Sequence, residues 1–203
     1  MDDMKLSKKA GRPREFCTEQ ALETALHLFW RKGYEGTSMS DLTEAIGVNR
    51  PSLYAAFGSK EALFRLVLDR YAEKYDTALT AALAQPTAYS VAEALLLPPT
   101  HEPSPTEAAG CLLVQGALAC SDESDTIRIE LAARREAMVA ALRIRFEQAE
   151  ADGDFPAEAR PADMARYVVT VMNGMSVQAA GGTGADDLRR VAEIALRAWP
   201  EGV

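Results

Sequence analysis

The sequence predicts an all-α protein, a small three-helix head followed by a larger helical body, and three observations carry that expectation. Apolar residues recur at i, i+3, i+4 and i+7 along most of the 203 residues, the spacing of one helix face. No stretch alternates apolar and polar residues as a half-buried strand does, and no internal repeat is present. Ser, Thr and Asn before such faces, and Gly or Pro after them, divide the chain into helix-sized pieces.

Taken in order, the first helix is expected to start at Thr18 as N-cap, with Glu19 suited to the positive end of the helix dipole. Leu22, Ala25, Leu26 and Phe29 share its apolar face, and Gly33 ends it as a left-handed cap. Ser38 and Asp41 have capping-box spacing for a second helix, in which Leu42, Ala45 and Ile46 form the buried side and Gly47 is the stop. Asn49 caps a third, which tolerates Pro51 because amides of the first turn have no partner inside the helix. Leu53 and Phe57 are its apolar side and Gly58 its end. Ser59 then caps a longer helix with Leu63, Leu66, Val67 and Tyr71 at core spacing.

Pro86 separates that helix from a short one at 89–97, and the four prolines of 98–108 make a loop. A small apolar helix is expected over 109–120 and a long amphipathic one over 122–151, with Ile127, Leu131, Met138, Leu142 and Phe146 on one face. Helices over 162–180 and 186–199, split by Gly181-Gly182-Thr183-Gly184, complete the chain.

Composition narrows the function. Apolar residues make up 48% and charged residues 26%, ordinary for a globular chain. No apolar run reaches the roughly 18 residues that a membrane span needs, and the first ten residues lack a signal-peptide core, so a cytoplasmic protein without a membrane partner is expected. Three cysteines cannot make a disulfide scaffold, and two histidines, His27 and His101, leave no metal-ligand cluster. The net charge of −8 is unevenly placed. Residues 1–60 hold nine basic and eight acidic side chains, a net of +1, while residues 61–203 carry a net of −9. Five of the ten residues from Lys5 to Arg14 are basic, which points to a polyanion-facing head on an acidic body.

Two short helices joined by a glycine turn and packed on a third match a helix-turn-helix, whose second helix places its first residues against base edges in the major groove. Those residues here are Arg50, Pro51, Ser52 and Tyr54. Arg50 has the fork for a bidentate guanine contact, and Pro51 and Ala55 the apolar surface for a thymine methyl. Thr37, Tyr54 and Lys60 sit at helix ends or on the flank, placed for phosphates, and the two caps Ser38 and Asn49 complete the expected set.

The literal residues sharpen this. Gly33-Tyr34-Glu35-Gly36-Thr37-Ser38, Asp41-Leu42, Gly47-Val48, Ser52-Leu53-Tyr54, Phe57 and Ser59-Lys60-Glu61-Ala62-Leu63-Phe64 together resemble the TetR family of transcriptional regulators over residues 14–66. Ala55-Ala56 departs from the larger polar or aromatic residue that many members carry there. Gly11-Arg12-Pro13-Arg14 looks like the minor-groove arm of some members, since narrow A·T grooves attract inserted arginine. The division expected is an arm over 1–13, a DNA-binding domain over 14–60 and an effector-binding and dimerisation domain over 61–203.

The resemblance implies a homodimer, with the last two helices pairing as a four-helix bundle, and a pocket in the body. Met175, Ala179, Leu188, Val191, Ile194 and Ala195 are the expected dimer residues. Phe64, Cys111, Gln115, Met138, Tyr167 and Met172 are the expected pocket lining, mostly apolar and so suited to an apolar or aromatic effector. The function expected is a ligand-released repressor on a palindromic double-stranded operator, with no cofactor. One alternative is a thiol-responsive regulator using Cys17, Cys111 or Cys120, although Cys111 and Cys120 on one helix would lie about 13.5 Å apart, too far to bridge. The other is a small helical enzyme, against which stands the lack of a phosphate loop, nucleophile elbow or metal motif.

Overall fold

The computed structural model describes residues 17–97, 109–116 and 124–200, and every regular element among them is helical. Three short helices, α1 (Thr18–Lys32), α2 (Met39–Ile46) and α3 (Arg50–Phe57), lead into the long α4 (Lys60–Leu83). α5 (Ala88–Leu96), α6 (Leu112–Gln115), α7 (Asp125–Ala151), α8 (Pro161–Ala180) and α9 (Ala185–Arg197) follow. No helix among the described residues is long and apolar enough to cross a membrane, and no group of His, Cys, Asp and Glu is arranged to hold a metal ion. The arm with Arg12 and Arg14, the proline-rich 98–108 with His101, and Cys120 lie outside the described residues.

Local chemistry sets most boundaries. The Ser38 hydroxyl accepts from the Asp41 amide at 3.1 Å while the Asp41 carboxylate accepts from the Ser38 amide at 2.8 Å, a complete capping box. Gly47 closes α2 in the left-handed region (φ 78°, ψ 32°), where a side chain is strained. Asn49 caps α3 by accepting from the Ser52 amide at 2.9 Å. α1 starts a residue early: the Cys17 carbonyl already accepts from the Ala21 amide, so Cys17 is the cap and Thr18 lies inside. Gly33 ends α1 with positive φ (72°) but an extended ψ (174°), not as the expected left-handed cap.

Two buried clusters hold the helices together. The first gathers Leu26 and Phe29 of α1, Leu42, Leu53, Leu63, Phe64 and Val67, then continues through Leu112 into Ile127 and Leu131 of α7. Phe64 sits between Phe29 and Tyr34, ring centroids 4.9 Å from each. The second joins Val91 and Leu96 of α5 to Leu142 and Phe146 of α7, Val168 of α8 and Leu196 of α9. Each fully buried Leu or Phe contributes about 1.5–3 kcal/mol, so these clusters dominate the stability. α4 spans both, with Leu63 to Tyr71 in the first and Leu83 against the second.

Two further features depart from expectation. Among the described residues of the helix predicted over 109–120, only the turn Leu112–Gln115 is helical, and Gly110 just before it adopts φ +88°. Leu66, expected in the core, is 44% exposed on the outer side of α4. At the far end of α4 the Arg145 guanidinium of α7 donates to the carbonyls of Leu83 (3.0 Å), Gln85 (2.8 Å) and Pro86 (3.2 Å). It thereby satisfies carbonyls that a helix end leaves without partners.

Candidate nucleic-acid interface

The turn between α2 and α3 presents one continuous outer surface. Leu53 and Phe57 face inward, anchoring α3 on the first cluster, while Arg50, Pro51, Ser52, Tyr54, Ala55 and Ala56 all face outward. Tyr54 is 46% exposed, so its ring is surface and not core. Arg50 lies at the first turn, its Nη2 donating to the Ser40 hydroxyl of α2 at 2.7 Å. That contact ties the start of α3 to α2 through the guanidinium. Ser38 and Asn49 are exposed at the helix starts, each occupied in capping its own helix.

Two flank residues behave differently from each other. The hydroxyl of Thr37 was expected to face phosphate, but Thr37 is fully buried and donates to the Gly33 carbonyl at 2.7 Å. Closing the α1–α2 turn is its structural task, and the inward hydroxyl is unavailable to a phosphate. Lys60 at the start of α4 is half-buried, its Nζ 4.2 Å above the Tyr34 ring. Burial pushes its pKa below the ordinary lysine value, against the opposing pull of Glu35 and Asp41. The turn is further braced by Lys32, whose ammonium meets Asp41 at 2.6 Å. That hydrogen bond, with those from Ser38, holds the Asp41 carboxyl well below the usual carboxylate range.

Behind this head the body forms an open-sided cavity of about 690 Å³ between α4, α5, the segment at Gly110–Leu113, α7, α8 and the start of α9. Cys111, Met138 and Met172 line it as expected residues of the pocket. Three others do not. Phe64 is fully buried in the head cluster because it lies on the α1 side of α4. Gln115 turns its amide onto the Ala109 carbonyl at 3.2 Å, and Tyr167 donates to the Ala195 carbonyl at 2.9 Å within the second cluster. Sequence reasoning missed Tyr71, Tyr75, Asp76 and Leu79, which continue the stripe of Leu68 along α4 into the cavity. The i+4 spacing was the available signal.

The six expected dimer residues also divide. Val191 and Ile194 are 46% and 58% exposed on α9. Leu188 and Ala195 are instead buried within the subunit, Ala195 in the second cluster and Leu188 at the cavity, because they lie on the α8 side of α9. Met175 and Ala179 also line the cavity, though each keeps partial exposure. Cys17 is exposed and Cys111 is half-buried, with the Tyr71 hydroxyl donating to its Sγ at 3.4 Å.

A model of the bacterial regulatory proteins of the tetR family matches residues 21–67, which is α1 to the first part of α4. The transcriptional repressor ComR of Escherichia coli K12 is 34% identical, with 97% of this chain and 95% of ComR covered. The chain belongs to the TetR family. The likeness to a second HTH-type transcriptional repressor of that organism, BdcR, is 30% identity over 94% of this chain and 93% of BdcR. Among solved structures, a cysteine mutant of the TetR family regulator CifR complexed with 26-base-pair operator DNA superposes with a TM-score of 0.82. It is 38% identical, covering 94% of this chain and all of the CifR chain. As a TetR regulator, then, the protein has the helix-turn-helix at α2–α3 and the larger helical body behind it.

Proposed function

We propose that this protein is a homodimeric transcriptional repressor that binds a near-palindromic operator through α3 and leaves it when a small, mostly apolar effector fills the body cavity. The observation that carries this is the continuity of α4. One helix starts at Ser59, directly after the outward-facing α3, and forms a wall of the cavity with Leu68, Tyr71, Tyr75 and Leu79. The relatives ComR and BdcR, named as repressors, and the CifR complex with operator DNA support the same reading.

Arg50, Pro51, Ser52 and Tyr54 would meet base edges and backbone in the major groove, with Ser38, Asn49 and Lys60 along the phosphates. Arg12 and Arg14 would reach the minor groove. The proposed division leaves residues 14–60 to DNA and 61–203 to effector and partner subunit. Exposed Val177, Val191 and Ile194 of α8 and α9 supply apolar surface for the two-fold contact. Two recognition helices must stand one DNA turn apart, about 34–36 Å, so an effector that binds one body conformation better changes operator affinity through that distance.

Selection of bound sequences from random duplex DNA, at stated salt, tests the proposal with the full chain. The expected product is a pair of inverted half-sites with fixed spacing, bound by a dimer with an affinity that falls as salt rises. Enrichment of a single half-site by a monomer, or no enrichment at all, overturns it.

A further inference from the structure

The cavity is lined almost wholly by apolar and aromatic side chains, and its two charged residues are in opposite situations. Arg134 of α7 already has its charge matched: its Nη2 donates to Asp69 at 2.6 Å and to Glu130 at 3.0 Å, and Glu130 also accepts from Arg65 at 2.8 Å. Asp76 of α4 lines the same cavity, is exposed, and meets no cation or hydrogen-bond donor among the described residues. Beside it Tyr71 and Tyr75 pack with ring centroids 4.5 Å apart, and Trp30 of α1 stands edge-on to both, at 5.1 and 5.8 Å.

We propose that the cavity takes a hydrophobic, aromatic ligand bearing a single positive charge, with the charge at Asp76 and the ring system against Tyr71 and Tyr75. This rests on the effector reading given above and names the class of effector. An anionic ligand would meet in Arg134 a charge already matched by Asp69 and Glu130, and would share the cavity with the Asp76 carboxylate. A cation meets a carboxylate that no described residue pairs with and the electron-rich faces of tyrosines, which attract positive charge. A cavity of about 690 Å³ falls within the roughly 300–1,000 Å³ that holds a drug-sized molecule. Trp30 packs on the same tyrosines from the head, so a ligand that shifts their rings presses directly on α1.

The test uses the full-length protein and three probes: tetraphenylphosphonium, tetraphenylborate of the same shape and opposite charge, and neutral Nile red. Calorimetry or fluorescence gives each affinity, and anisotropy of labelled operator gives release. Tetraphenylphosphonium is expected to bind and to release the operator, with tetraphenylborate binding about tenfold more weakly or not at all. Asp76→Asn is expected to weaken phosphonium binding about fivefold, the reach of one partly exposed ion pair, and to leave Nile red unchanged. Ala137→Trp, which fills the cavity from α7, is expected to block all binding. Equal or tighter binding of tetraphenylborate, or a phosphonium affinity indifferent to Asp76→Asn, overturns the charge assignment. If Nile red still binds the wild type and is blocked by Ala137→Trp, the apolar-effector reading survives that result. If no probe binds and none releases the operator, both fall together.

Discussion

Replacing Arg145 by Met removes a clamp whose size follows from its geometry. The guanidinium closes the end of α4 with hydrogen bonds of 3.0, 2.8 and 3.2 Å to the carbonyls of Leu83, Gln85 and Pro86, at a partly buried site. A hydrogen bond from a charged donor contributes about 1.5–3 kcal/mol net when buried. Only the bonds to Leu83 and Gln85 are sheltered, and water can reach the Pro86 carbonyl. Met preserves most of the aliphatic packing, so the expected loss is about 2–3 kcal/mol. For a chain of this size that lowers Tm by about 5–10 °C. Circular dichroism during thermal and urea unfolding, at fixed protomer concentration, measures it. Arg143→Met is the control, because Arg143 is exposed and among the described residues pairs with Glu147 alone, at 3.6 Å, a contact of about half a kcal/mol or less. Equal losses in the two variants would refute the clamp.

Further outcomes follow from the head. Arg50→Ala is expected to weaken operator binding by about 1–3 kcal/mol and to relax discrimination at one base pair per half-site, read by anisotropy against a set of operator variants. Gly47→Ala is expected to cost about 1–2 kcal/mol in urea unfolding, all of it conformational, because a Cβ there meets nothing within 4 Å while φ remains +78°. Asp41 titrates lower in the folded protein than in the unfolded chain, so protonation favours unfolding. Its contribution is present at neutral pH and lost as the pH falls below about 4. Asp41→Asn should therefore destabilise at pH 7 and show a shallower acid limb, and an unchanged acid limb contradicts the assignment.

What the sequence made legible was whatever acts over one helical turn. The Ser38–Asp41 box, the Asn49 cap and the Gly47 stop occur where expected because each is a contact between residues three or four apart. Facing was harder. Phe64 and Leu68 both fit the apolar pattern of α4, but only packing against α1 decides that Phe64 enters the head cluster and Leu68 also reaches the cavity. The buried Thr37 hydroxyl escaped for a similar reason: a polar side chain at a helix start is exposed unless a preceding turn offers it a carbonyl, as Gly33 does. Long-range polar ties had no signal at all. Arg145 reaches carbonyls about 60 residues away, and Arg134 reaches Asp69 across 65, separations that no periodicity encodes.

With 24 residues, α4 is a rod about 36 Å long at 1.5 Å per residue. Pinned at its far end by Arg145 and joined at its near end to α3, it has the build of a lever whose fulcrum is the pinned end, with the cavity tyrosines along its length. A tilt of only about 5° sweeps the near end through about 3 Å over that length. In the two-fold dimer proposed above, both subunits would move alike and the displacement between their ends would double, enough to put a pair of protein edges out of step with the pitch of a duplex.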